Sequence, residues 1–246
     1  MTKSELVKEF KKIGIVEGMI LEVHSSLRSF GYVEGGAETV IAALMECVGP
    51  SGSIFMPSLC FSPELELTEE DKAMGITVKI KILPEDAPRT AMGIIADTFR
   101  QRADVVTGKG VIRTTGWGLH AEQAAIGGLD YAIAKGGKAL LLGVDIYRLT
   151  SMHYMEGSLP KEISDRYAPT EAMNRKYPPE EWIIEAGAPP VKPWYTIQDM
   201  AYEKGLIKDG YIGSCKYMFF NIWDVVSLYK RELETNAYKL YGLGEL

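Results

Sequence analysis

Two short segments hold the residues best suited to chemistry. In Thr150-Ser151-Met152-His153-Tyr154-Met155-Glu156, an imidazole and a carboxylate stand three residues apart. That spacing puts His153 and Glu156 on one face if the segment is helical. A carboxylate beside an imidazole raises its basicity and selects its tautomer, as a general base requires. Thr150, one turn earlier, can hydrogen-bond either group or a substrate. The same pair would also form as a solvated contact at a helix start, worth little energetically. A His-x-x-Glu pair also occurs in helical di-metal sites. Such sites need more ligands than the 3 histidines of this chain readily supply, so no metal ligand is assigned.

The second segment is His24-Ser25-Ser26-Leu27-Arg28-Ser29-Phe30-Gly31, followed by Gly35-Gly36. Strand, small polar turn, Gly-Gly and helix is the layout of a phosphate-binding site. Serine hydroxyls and free amides donate, the helix dipole favours negative charge, and Arg28 adds a charge-assisted contact. Ser25, Ser26, Leu27, Arg28, Gly35 and Gly36 are therefore the candidate cofactor residues. A tight turn would use the same Ser and Gly for backbone reasons alone. Neither G-x-x-x-x-G-K-[ST] nor G-x-G-x-x-G is present, so an NTPase or dinucleotide site is unsupported. No G-x-S-x-G exists for a serine hydrolase. His24, ending a strand, reads as a buried, hydrogen-bonded structural histidine, and His120 has no obvious partner.

Both segments must be positioned by strands. Residues 19–23 and 139–144 are apolar runs directly before them, and in open α/β sheets ligands collect beyond the carboxyl ends of strands. Around these, Thr2 and Glu5 form a capping box for a first helix that Gly14 stops. A second helix carries Val40, Ile41, Leu44, Met45 and Val48 and ends at Gly49-Pro50. Ser53-Ile54-Phe55-Met56-Pro57 is a short strand. The stretch 61–90 is a long excursion whose acidic run, 64–71, reads as a solvated face or a cation-attracting rim. Helices are expected over 92–100 and 120–126, with Val105-Val106 extended between them.

Beyond Pro160, Tyr177-Pro178-Pro179 and Ala188-Pro189-Pro190 mark turns around a hairpin strand at Trp182-Ile183-Ile184. Thr196 and Asp199 cap a short helix ending at Gly205, and a last helix covers 221–234. Alternating strands and helices indicate an α/β chain with a sheet covered on both faces. With no repeat, low-complexity tract or linker, residues 1–246 read as one domain.

Composition narrows the classes. The chain has 246 residues, 46% hydrophobic and 24% charged, with net charge −6. There is no basic footprint for nucleic acid, and the acidic balance suits a cationic substrate. Cys47, Cys60 and Cys215 are widely spaced without a C-x-x-C pair, which fits a reducing cytoplasm. The charged start of the chain lacks the apolar stretch of a signal peptide. No 18-residue apolar run spans a membrane.

Together the two segments resemble the aminoglycoside 3-N-acetyltransferases, the antibiotic N-acetyltransferase family. The similarity covers 24–31, Gly35-Gly36-Ala37-Glu38-Thr39-Val40, Gly49-Pro50-Ser51-Gly52, Met56-Pro57, Met92-Gly93, 118–121, 137–144 and Thr150-x-x-His153-x-x-Glu156. Gly210-Tyr211-Ile212-Gly213-Ser214 resembles the family's ending. The resemblance implies a single three-layer α/β/α domain with a central mixed β-sheet, binding acetyl-CoA near Ser25-Ser26. It implies direct acetyl transfer to an amine of an aminoglycoside-like acceptor, with His153 as general base and Glu156 orienting it. Three regions depart from the pattern. The family commonly carries Arg-Ser-x-His-Pro-x-x-Ser where this chain has residues 106–113, with Lys109 at the histidine place. The stretch 121–136 is short, and the family's Phe-Asp-Pro region is only echoed in Pro84-Glu85-Asp86-Ala87-Pro88. These segments surround the acceptor in the family. The alternatives are transfer of another acyl group, a CoA-binding protein without turnover, and a metal-dependent hydrolase on His153 and Glu156.

Overall fold

The computed structural model describes residues 1–187 and 193–244; the turn expected at Ala188-Pro189-Pro190 lies outside them. Its strands are β1 (Ile20–Ser25), β2 (Ser53–Pro57), β3 (Ile76–Lys81), β4 (Val106–Thr107), β5 (Thr114–Gly118), β6 (Lys138–Leu142), β7 (Trp182–Ala186), β8 (Lys208–Ile212) and β9 (Cys215–Asn221). Seven of them form one mixed sheet in the order β4-β5-β2-β1-β6-β9-β8. β1 is its middle strand and runs parallel to β2 on one side and β6 on the other. The remaining neighbours in this sheet are antiparallel.

The helices are α1 (Lys3–Ile13), α2 (Gly36–Val48), α3 (Glu69–Ala73), α4 (Gly93–Arg100), α5 (Ala121–Gly127), α6 (Asp130–Ala134), α7 (Lys161–Tyr167), α8 (Glu171–Lys176), α9 (Pro193–Glu203), α10 (Ile222–Thr235) and α11 (Ala237–Leu240). Side chains alternate across each strand, so the sheet offers two apolar faces. Leu21, Val23, Ile54, Met56, Leu140 and Leu142 pack against α1, α2 and α4. Phe55, Ala139, Leu141, Met218 and Phe220 pack against α5, α6, α9 and α10. Each fully buried aliphatic side chain contributes about 2 kcal/mol, and the two clusters together make the helix–sheet–helix layering.

Several expected elements form where the pattern places them. Thr2 caps α1 in a reciprocal box with Glu5, and Gly14 closes it in the left-handed conformation. Asn221 caps α10 through Asp224 N–H. Other expectations are corrected. β1 extends to Ser25, so Ser25 belongs to the strand rather than to the turn after it, while His24 lies near the strand's end as expected. Thr196 and Asp199 lie inside α9 and do not cap it. β7 pairs antiparallel with β3, more than 90 residues away by their numbers, instead of forming a local hairpin.

The excursion over 61–90 therefore has a framework of its own, a two-stranded sheet with α3 and α8 beside it. Its acidic run is only partly solvated. Asp71 is fully buried, bonded to Lys79, Lys176 and Tyr177, and capped reciprocally with Thr68.

Candidate active site

The strand order changes direction at β1: the chain moves from β1 to β2 on one side and returns to β6 on the other. In open sheets such a switch point leaves a crevice beyond the carboxyl ends of the two strands. Here those ends are Ser25 and Leu142, which are register partners. The ladder continues one step further, Ser26 N–H donating to Leu142 C=O at 2.8 Å. Ser29 Oγ then donates to Gly143 C=O at 3.2 Å. Gly143 has φ +69°, and a Cβ there would overlap the Ser29 side chain, so this close approach requires glycine. The segments chosen for their chemistry thus leave adjacent strands side by side.

On the first side, Ser26 begins a short 3-10 turn, Leu27–Phe30, without capping it. Gly35 begins α2 in the left-handed conformation, again with no side-chain cap. Leu27 packs within 4.0 Å of the position a Gly36 Cβ would occupy, and Ser25 C=O lies 3.6 Å from that of Gly93 at the start of α4. Ser25 and Ser26 are half-buried and Arg28 is exposed. Among the described residues no other group engages these hydroxyls or pairs with the guanidinium. Two uncapped helix starts, two unengaged hydroxyls and an unpaired cation converge here. That donor set fits a phosphorylated ligand.

On the other side, Thr150–Ser158 is a 3-10 helix, in which residues three apart eclipse one another. His153 Nδ1 lies 2.8 Å from Glu156 Oε2. The pair is open, with side-chain exposures of 61% and 35%. Trp194 stands against the imidazole edge-on, ring centroids 4.7 Å apart at 69°. Tyr147 stacks on Tyr195 at 5.9 Å, and Tyr195 Oη donates to Asp145 at 2.9 Å. Thr150 bonds neither His153 nor Glu156; its amide faces His24 Nε2 at 3.4 Å.

A third wall comes from the excursion. Glu185 is exposed on β7, yet packing beside its carboxyl partly strips it of water and raises it above its ordinary range; His153 pulls it down, and Glu64 and Glu156 push it further up. Glu64, Glu156 and Glu185 therefore share one field around the imidazole. For Glu64 this supports the cation-attracting rim. Sequence reasoning missed Trp194, Tyr147 and Glu185. For Trp194 and Glu185 the signal is tertiary, since α9 and β7 reach His153 only through long-range packing, and Tyr147 joins them through its ring contacts with Trp194 and Tyr195.

His24 is hydrogen-bonded and half-buried, 2.8 Å from Glu22. His120 does have a partner, Tyr131 Oη at 3.0 Å. Lys109 is exposed and follows β4, the sheet's outermost strand, about 14 Å in strand spacing from β1. Arg113, further along that loop, pairs with Glu85 at 3.0 Å. In the short 121–136 stretch, Leu129 N–H donates to Tyr154 Oη at 2.9 Å, tying α5–α6 to the His153 segment. Among the described residues no cluster of three or more His, Cys, Asp or Glu is arranged to hold a metal, and no helix is long and apolar enough to cross a membrane.

Comparison with known proteins identifies the family and the fold. The family profile described as aminoglycoside 3-N-acetyltransferase matches residues 23–234. Aminoglycoside N(3)-acetyltransferase III of Acinetobacter baumannii is 29% identical over 187 residues, spanning 63% of this chain and 60% of that protein. The matched part is thus about three fifths of that relative's length. Among solved structures, aminoglycoside acetyltransferase AAC(3)-IVa in complex with a gentamicin superposes with TM-score 0.70 at 21% identity, covering 96% of this chain and 89% of that one. AAC-IIIb in its binary complex with CoASH gives 0.68 at 17%, covering 95% and 96%. Both share the layered mixed-sheet fold. The profile match spans both strand ends and both segments that leave them, and on that ground the chain belongs to the aminoglycoside 3-N-acetyltransferase family.

Proposed function

We propose that this chain is an acetyl-CoA-dependent N-acetyltransferase acting by direct transfer on an amine of a polycationic, aminoglycoside-like acceptor. The observation that carries the reading is the junction at Ser26 and Leu142, which sets the donor-rich turn beside the root of the His153 segment. Ser25 and Ser26 hydroxyls, the amides from Gly35-Gly36 onward and Arg28 hold the CoA phosphates, and Leu27 lies along the arm. A family structure with CoASH and another with a gentamicin support the choice of ligands.

Glu156 occupies Nδ1 of His153, so Nε2 is the nitrogen left to accept a proton. As the acceptor nitrogen attacks the thioester carbonyl, the C–N bond forms and Nε2 takes the proton released. The C–S bond then breaks, the thiolate leaves, and the imidazolium returns the proton to sulfur. Backbone amides at the helix starts stabilise the oxyanion between these steps. Glu64, Glu156 and Glu185 draw a polycation to the imidazole side, and Thr150 lies at the entry between the two ligands. The three buried, unbridged thiols suit a reducing cytoplasm.

The test is thiol release from acetyl-CoA with a panel of aminoglycosides and simple amines. Turnover with at least one polyamine is expected. Measurable CoA binding with no thiol release on any amine would instead identify a CoA-binding protein without turnover.

A further inference from the structure

A charged residue stands where the fold calls for an apolar one. Glu22 occupies the middle of β1, in register with Phe55 on β2 and Ala139 on β6, and is fully buried. One oxygen, Oε1, accepts from Ser151 N–H at 3.1 Å and lies 2.8 Å from His24 Nε2. Its other oxygen and the Ser151 hydroxyl are buried without a protein partner among the described residues. Half-satisfied buried carboxylates lower stability relative to a well-packed apolar side chain. Folding alone therefore does not account for Glu22.

What Glu22 does hold is the head of the segment that carries His153. That segment is a 3-10 helix with no side-chain cap at its start, and such turns have poor intrinsic hydrogen-bond geometry. Buried Met152 sets the depth of the segment. The Glu22–Ser151 bond sets its register, two residues before His153. His24, oriented by the same oxygen, directly precedes Ser25, and its ring nitrogen is 3.4 Å from Thr150 N–H.

We propose that Glu22 is a positioning residue for His153: from inside the sheet it fixes the Thr150–Ser151 turn against the strand end that carries the cofactor serines. This assignment rests on the acetyltransferase reading above and adds a residue to it.

The experiment compares Glu22→Leu, Glu22→Gln and His153→Ala in full-length protein, reading kcat, the KM for acetyl-CoA and Tm together. In Glu22→Leu, kcat should fall by about ten- to a hundredfold, the size expected when a reacting group is misplaced by an ångström or less. Its KM for acetyl-CoA should stay within about twofold of the parent; its Tm should fall by a few degrees, because Ser151 N–H and His24 lose their buried partner, while the protein stays fully folded at the assay temperature. Glu22→Gln keeps an acceptor for Ser151 N–H and should recover most of the rate. Three results overturn the assignment: Glu22→Leu at near-parental kcat while His153→Ala is inactive; a rate loss matched by an equal loss of folded protein; or Glu22→Gln no better than Glu22→Leu. Full activity in His153→Ala would be a different failure, removing the general base and this assignment with it.

Discussion

Ser26 donates its amide proton to the carbonyl of Leu142 at 2.8 Å, one step past the last register pair of β1 and β6. That bond joins two segments more than 110 residues apart in the chain. It forms because β1 is flanked by parallel neighbours on both sides, so the carboxyl ends of β1 and β6 open on the same edge of the sheet. The serine turn then leaves toward α2, and the His153 segment leaves toward α10. In the proposed reaction a ligand held by the turn would cross this edge to reach the imidazole, and the first two predictions test that path.

Replacing His153 with Ala should lower kcat by about two to four orders of magnitude, the usual contribution of a positioned general base. Calorimetry should show nearly unchanged CoA affinity, because the ring's hydrogen bond and ring contact are with Glu156 and Trp194, not with the serine turn. Near-parental turnover would remove His153 from the reaction. Glu156→Gln should give a smaller loss of kcat, since the pair is open to solvent and screened.

Cofactor affinity should depend on Arg28 and Gly35 for different reasons. Arg28→Ala removes a charge-assisted contact worth about 1.5 kcal/mol, or roughly tenfold in CoA affinity. The loss should shrink as salt rises, and an equal loss at all ionic strengths would argue against a phosphate contact. Gly35→Ala places a Cβ 2.5 Å from Thr39 Oγ1 at φ +74°. It should weaken CoA binding and cost about 1–2 kcal/mol of stability through the left-handed backbone.

How much of this was legible in the chain depends on whether the signal is local. The His153–Glu156 pair is local: a spacing of three places the groups together in either helix type, and the structure pairs them. The capping of α1 and α10 is local too. Strands that the sequence left unassigned are not. β5 is Thr-Thr-Gly-Trp-Gly, with two glycines and no alternation, and β8 begins Lys-Asp-Gly; neither is strand-like by propensity, and both form by pairing with a strong neighbour. Asp71 sits in a run of acidic residues, and only tertiary contacts separate it from its solvated neighbours. Glu22 could have been noticed: a carboxylate inside an apolar strand buried on both faces is an anomaly in composition alone.

The wall over His153 carries a pH signature. Partial loss of water, opposed by His153 and reinforced by Glu64 and Glu156, raises the carboxyl of the otherwise exposed Glu185 above its ordinary range. A carboxyl raised in the folded state holds its proton more tightly there, so ionising it costs stability as pH rises through the raised value. Glu185→Gln should therefore increase Tm at neutral pH, and only slightly, because Glu185 is exposed and screened. The gain should vanish below about pH 4, where the carboxyl is protonated in both states. In assays it should raise KM for a polycationic acceptor several-fold and leave a monoamine little affected. Equal effects on both amines would deny the wall a role in attracting charge.

The excursion that presents Glu185 has its own lock, and its pH response has the opposite sign. Burial would raise the Asp71 carboxyl, but hydrogen bonds from Lys79, Tyr177 and Thr68 outweigh it and hold the group far below the usual carboxylate range. Lys79, itself buried, is raised chiefly by its bond to Asp71. A carboxyl lowered in the folded state contributes stability that is fully present above its unfolded value of about 3.9 and is lost as pH falls below it. Asp71→Ala leaves Lys79 buried without its anion, a loss of about 3 kcal/mol or more. That corresponds to roughly 6–12 °C in Tm for a chain of this size if unfolding is two-state. Thermal melts from pH 7 down to pH 2 should show the gap between parent and variant narrowing below about pH 4, as acid protonates Asp71 in the unfolded chain. A constant gap across that range would mean that the carboxylate is not the source of the lock.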